Sequence, residues 1–194
     1  MSPNGPGSSA LHELVELLEE DDSVIADHLA APEAEPLIGE LVAAGPRAAE
    51  APGEYALLLE AVREGYLLHF GEPRVVRGAD EDLLLLAGDY PYALVLERLA
   101  VLGDLEAVRE LADLISISAQ LHAERDGAGS AQLWLASTVV VATGGDDRHE
   151  RAKRAIRSGE EAAESVLRDS AAERAGAGGL GSAFARLAES IESR

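Results

Sequence analysis

Apolar residues recur along this chain at the three-and-four spacing of helices, and the pattern breaks at glycines, prolines and acidic runs. Residues 1–8, rich in Ser, Pro, Gly and Asn, are expected to be disordered. Ser9 is placed to cap a helix carrying Leu11, Leu14, Val15 and Leu18. The run Glu19-Glu20-Asp21-Asp22 falls where the helix dipole disfavours anions, which predicts a break before a short segment through Val24, Ile25 and Leu29. Pro32 and Pro36 mark a loop ahead of an amphipathic stretch with Leu37, Ile38, Leu41 and Val42, ended by Gly45-Pro46. A polar connector from Arg47 to Gly53 leads to a stronger helix with Tyr55, Leu58, Leu59, Val62 and Tyr66 on one stripe, extended by His69 and Phe70 and stopped by Gly71 and Pro73.

Asp80, followed by Glu81 and Asp82, has the pattern of an N-cap and an acidic first turn. Leu83 to Leu86 leave that turn no polar face, so burial on most sides is expected, and Pro91 is expected to kink the helix. Asp104 is placed to cap a helix with Leu105, Val108, Leu111, Ala112, Ile115 and Ala119 as its stripe, and Arg109 can pair with Glu106 and Asp113. Ser130 is placed to cap a helix through Leu133, Trp134, Ser137, Val140 and Val141 that Gly144-Gly145 ends. Val139 to Val141 suit a strand by propensity, but a lone strand would have no partner. Ser158-Gly159-Glu160-Glu161 reads as a capping box for a helix to about Arg174. A glycine-rich hinge at 176–181 precedes a last helix with Phe184, Leu187 and Ile191. The expected architecture is all-α, roughly eight or nine helices in a single domain over 9–194.

Composition agrees with helices: aromatics are 4%, and the apolar set is mostly Ala, Leu and Val. The net charge of −20, from 36 acidic against 16 basic residues, excludes a general affinity for nucleic acid or anionic membrane surfaces. One basic stretch, Arg148 to Arg157, is flanked by Asp146-Asp147 and Glu160-Glu161, which are expected to cancel it and leave a solvated helix face. The absence of cysteine removes disulfide and thiolate chemistry. The five histidines show no zinc-ligand spacing, and His69 and His122 read as core or boundary residues. No secretory leader and no run of ~18 apolar residues is found, so a cytoplasmic location without membrane insertion is expected.

From Gly78 to Glu124 the pattern LLAGDYxYAxxLERLAxLGD…VRELADxIxxxAQLHAE resembles the middle of a trans-polyprenyl diphosphate synthase, with a weaker likeness through Ser130 to Gly145. The resemblance implies a truncated helical bundle of the isoprenoid-synthase type. It also implies a helix bearing Asp-Asp-x-x-Asp just ahead of Gly78, whose carboxylates share a face and hold magnesium on a diphosphate. Here that helix reads Glu64-Gly65-Tyr66-Leu67-Leu68-His69-Phe70, and no aspartate occurs between Gly53 and Ala79. Of the family's basic diphosphate motif only Gly45 and Arg47 could correspond. Gly129-Ser130 replaces an expected Lys-Thr pair, and Glu160-Glu161-Ala162-Ala163-Glu164 stands at the second Asp-rich motif. Asp146-Asp147-Arg148-His149-Glu150 spells D-D-x-x-E, but it follows Gly144-Gly145 and reads as a helix cap.

The resemblance without its acidic motifs implies a non-catalytic accessory subunit of a heteromeric polyprenyl diphosphate synthase, partnered by the catalytic subunit or by a second copy. Tyr90, Tyr92, Leu96 and Leu99 are candidates for the docking face, each with a competing place in the core. An isoprenoid- or lipid-binding module is the alternative. A magnesium-dependent prenyltransferase using Asp80, Asp82, Asp89 or the Asp146 cluster is a third. No catalytic, cofactor-binding or metal-binding residue is assigned, and magnesium is expected only if the chain is catalytic.

Overall fold

A computed structural model describes residues 9–20 and 24–192. The disorder expected over 1–8 and the break expected at Asp21-Asp22 lie outside the described residues. Among those described, the chain forms ten α-helices: α1 (Ala10–Glu20), α2 (Leu37–Ala43), α3 (Pro52–Phe70), α4 (Glu81–Ala87), α5 (Asp89–Leu102), α6 (Leu105–Arg125), α7 (Ser130–Thr143), α8 (Asp147–Ser158), α9 (Ala163–Ala177) and α10 (Gly181–Glu192). Two 3-10 turns, Ala26–His28 and Pro46–Ala48, and one isolated bridge between Leu29 and Val76 complete the regular structure.

Packing divides into two compact units where the sequence leads to one expected domain over 9–194: Met1–Ala43 with Ala51–Asp104, and Ala44–Glu50 with Leu105–Arg194. Each is built around a helix covered on nearly every side. In the first unit α3 is packed by α1, α2, α4 and α5, and thirteen of its nineteen residues are buried, so the expected single stripe becomes a core on all faces. In the second, α7 plays this part against α6, α9 and α10, with eleven of fourteen residues buried. Thr138 and Thr143 return their hydroxyls to the carbonyls of Trp134 and Val139, both at 2.7 Å, which satisfies these two hydroxyls inside a β-branched helix.

Local signals are met where they are self-contained. Asp80 accepts the Leu83 N–H at 2.9 Å and Asp146 accepts that of His149 at 2.9 Å, capping α4 and α8. Other expectations are corrected. The helix around Leu83 to Leu86 breaks at Gly88, and Pro91 falls in the first turn of α5, where its missing donor costs nothing. Leu85 and Leu86 are 59% and 66% exposed, because α4 meets neighbours on one side. The buried stripe of α6 is Ala107, Glu110, Leu111, Leu114, Ile117, Ser118 and Leu121, rotated from the expected one, and Leu105 is exposed. Glu106 and Asp113 bind Arg47 and Lys153 rather than Arg109. Gly129, at φ 87°, takes the N-cap position expected of Ser130. Ser158 ends α8, and Gly159 at φ 79° closes it, so no capping box forms there. Between α9 and α10 only Gly178 to Leu180 is non-helical. The N–H groups of Gly178 and Leu180 return to the carbonyls of Arg174 and Ala175 at 2.9 and 2.7 Å, which makes a closed turn of the expected hinge.

One close approach sets the packing of the first unit. Gly65 on α3 faces the start of α5, and a Cβ there would lie 2.8 Å from the Tyr92 ring and 3.0 Å from the Gly88 carbonyl oxygen. An unobstructed Gly-to-Ala change inside a helix stabilises by about 0.5–1 kcal/mol. Here the clash wins: Gly65→Ala is expected to destabilise the protein by about 1–3 kcal/mol in urea denaturation followed by circular dichroism.

Candidate functional site

On α3, Glu60 and Glu64 are four residues apart, share a face and are both fully buried. This is the helix on which the resemblance expects a magnesium-holding motif, and both carboxylates converge on the buried Arg74 from the segment after the helix. Arg74 Nη1 donates to Glu60 Oε2 at 2.5 Å, Nε to Glu64 Oε2 at 3.0 Å, and Nη2 to the Glu60 carbonyl at 3.1 Å. Glu60 Oε1 accepts the Gly39 N–H from α2 at 2.7 Å. Glu64 Oε1 accepts the N–H groups of Arg74 and Val75 at 2.7 and 3.0 Å. Burial opposes the Arg74 charge, but the two carboxylates outweigh it and hold the guanidinium protonated beyond its ordinary range.

Every carboxylate oxygen of this pair is therefore committed to a protein donor. Magnesium demands near-octahedral oxygen ligands and keeps several waters, and an acid pair closed by a guanidinium does not fit it. Asp80 is a cap, and Asp89 is 87% exposed and 3.3 Å from His69. Asp146 caps α8 and pairs with Arg174. Among the described residues no group of three or more His, Asp or Glu side chains is arranged to hold a metal ion.

The second unit carries a counterpart that sequence reasoning missed. Glu110, on the core face of α6, accepts from Ser137 of α7 at 2.6 Å and contacts His149 Nε2 at 2.7 Å and Lys153 Nζ at 2.8 Å on α8. Lys153, the chain's single lysine, also binds Asp113 at 2.7 Å and Glu150 at 2.9 Å. Burial disfavours the Glu110 carboxylate, but hydrogen bonding and attraction to His149 and Lys153 outweigh it and hold its pKa at about 2. Burial likewise opposes the Lys153 ammonium, and Glu110, Asp113 and Glu150 overcome it, raising Lys153 above the ordinary lysine range. An acid inside an apolar stripe and a lone lysine are the signals that could have identified this pair.

A third feature is an uncovered apolar surface on the first unit. Leu85 and Leu86 on α4, and Leu96 (43%) and Val101 (86%) on α5, are exposed. Ala93, Leu96 and Ala100 share the outer stripe of α5 and are all exposed. Of the docking candidates, Leu99 is fully buried in the core, Tyr90 and Tyr92 are half-buried, and Leu96 is exposed. Tyr92 stacks on His69 at 5.8 Å between ring centroids. Of the residues matched to the basic motif, Arg47 pairs with Glu106 at 3.1 Å, and Gly45 packs on Ala142. No described helix is long and apolar enough to cross a membrane. No known protein family, curated protein or solved structure matches this chain.

Two outcomes follow for the ionic clusters. Glu110 is depressed from 4.5 to about 2, so its stabilisation is present above pH 4.5 and is lost as pH falls towards 2. The whole effect is about 3 kcal/mol. Denaturation monitored by Trp134, the chain's one tryptophan and a buried residue of the second unit, is expected to show this loss in wild type and a flatter profile in Glu110→Gln. In the first unit, Arg74→Met strands two buried carboxylates and is expected to cost about 3–5 kcal/mol. The triple variant E60Q/E64Q/R74M, whose amides still accept from Gly39 and Val75, is expected to be more stable than Arg74→Met alone. An Arg74→Met protein as stable as wild type would contradict the assignment.

Proposed function

We propose that this chain is a non-catalytic, polyprenyl-synthase-like helical protein that acts as the accessory subunit of a heteromeric polyprenyl diphosphate synthase. The observation that carries the reading is the exposed apolar surface of α4 and α5, which lies inside the segment Gly78 to Glu124 where the resemblance is strongest. Both helices are mostly apolar beyond their acidic first turns, and their outer leucines and valine face solvent in the isolated chain, with Glu97 between Ala93 and Val101 on the outer stripe of α5. A stable association needs roughly 1,000 Å² or more of buried surface. Side chains from Leu85, Leu86, Leu96 and Val101 would form the apolar part of such a contact. The closed Glu60–Arg74–Glu64 cluster supports the non-catalytic half of the reading, since it leaves neither Glu60 nor Glu64 a carboxylate oxygen for a metal.

Co-expression with the catalytic polyprenyl diphosphate synthase of the same genome is the test. A stoichiometric complex is expected, with prenyl transfer greater in the mixture than in the catalytic chain alone. Leu85→Glu/Leu86→Glu, which changes exposed residues and leaves the core intact, is expected to weaken the complex at least about tenfold, the cost of placing two charges in an apolar contact. The proposal fails if wild type binds no such chain, or if the variant binds equally well. It also fails if the same variant instead abolishes self-association, which would make a second copy the occupant.

A further inference from the structure

Helix α8 divides its basic residues between two faces. His149, Ala152, Lys153 and Ile156 are buried, while Arg148, Arg151 and Arg154 project outward. Those three arginines line a cleft of about 430 Å³ between α8 and the start of α9, with the buried Ala152 and Ala163 beneath it and the exposed Val166 at its edge. Of the neighbours expected to neutralise this stretch, Asp146 pairs with Arg174 and Glu160 accepts from Ser158 at the cleft, while Glu150 on α8 itself pairs with Lys153. Arg148 shares an exposed contact with Glu173 at 2.7 Å. Arg151 and Arg154 have no carboxylate within ion-pair distance among the described residues. Glu160 is the one acid in the lining and Glu173 holds Arg148, so Arg151 and Arg154 together face one carboxylate.

We infer that the α8–α9 cleft binds a phosphate-bearing ligand, held by the guanidinium forks of Arg151 and Arg154 with Arg148 at the rim. Planar guanidinium groups match phosphate oxygens two at a time, and the volume falls in the range of small-molecule sites, about 300–1,000 Å³. The net charge of −20 repels anions at long range. At physiological ionic strength, however, charges beyond ~8 Å are largely screened, and the local excess of arginine governs capture. The cleft belongs to the second unit and lies outside Gly78 to Glu124, so phosphate binding stands or falls independently of any partner chain.

The full chain is titrated with sodium diphosphate by calorimetry and, separately, sedimented with phosphatidylcholine vesicles with and without phosphatidylglycerol. Saturable binding is expected in at least one arm, weakened about tenfold or more in Arg151→Gln/Arg154→Gln, intermediate in Arg151→Lys/Arg154→Lys, and unchanged in the exposed control Arg109→Gln. Binding to diphosphate assigns a soluble phosphate ligand. Binding restricted to phosphatidylglycerol vesicles assigns a lipid headgroup. Absence of binding in both arms, or equal binding by wild type and Arg151→Gln/Arg154→Gln, overturns the inference.

Discussion

A carboxylate withdrawn from water must meet a cation and find donors for its remaining lone pairs, and both units of this protein are organised by that requirement. In the first, Glu60 and Glu64 close on Arg74 while accepting backbone N–H groups from α2 and from the segment after α3. In the second, Glu110 joins α6 to Ser137 of α7 and to His149 and Lys153 of α8. The apolar core offers little shape information of its own, being mostly Ala, Leu and Val with few aromatics. Small aliphatic helices can slide or rotate against one another at modest cost, whereas a buried ion pair tolerates one register. Helices far apart in sequence are thereby fixed in place by groups that gain little net stability from being buried.

This division explains what could be read from the sequence. Caps depend on a few adjacent residues, and Asp80 and Asp146 were legible for that reason. The phase of α6 was not, because apolar residues lie on two of its faces and the deciding residue, Glu110, looks like an outward-facing acid until Lys153 and His149 are brought to it from about forty residues away. Glu60 was overlooked for a related reason: it interrupts the run from Leu57 to Val62 without showing which cation answers it. Ser158-Gly159-Glu160-Glu161 misled because a helix end closed by glycine and a helix start opened by serine use overlapping residues. Which one forms is set by whether Ala152 and Ile156 find a core.

The acidic face of α3 is governed by the same requirement. A face that works on a diphosphate must exchange its cation's ligands between protein, water and substrate, which a hydrated divalent ion permits. Arg74 is tethered covalently a short distance along the chain, and its backbone N–H is bound by the same Glu64 that holds its side chain. The guanidinium cannot leave without breaking the loop conformation, so this pair of acids serves as a clasp for residues 74 and 75. The guanidinium shared between them also explains how two carboxylates four apart on a helix coexist, because burial alone would strengthen their repulsion.

Scarce charge is informative where its placement departs from self-neutralisation. With acids in large excess, an arginine placed beside a carboxylate relieves repulsion, as Arg47 does with Glu106, Arg98 with Glu54, Arg168 with Glu192, and Arg174 with Asp146. On the outer face of α8, Arg148 is paired with Glu173 while its neighbours are placed otherwise. Arg151 and Arg154 forgo local acids and line one cleft together, an arrangement that mutual repulsion opposes and that core packing does not require, since neither side chain is buried. An external anion bound there would balance that repulsion, which links the charge of this face to the inferred ligand rather than to the stability of the fold.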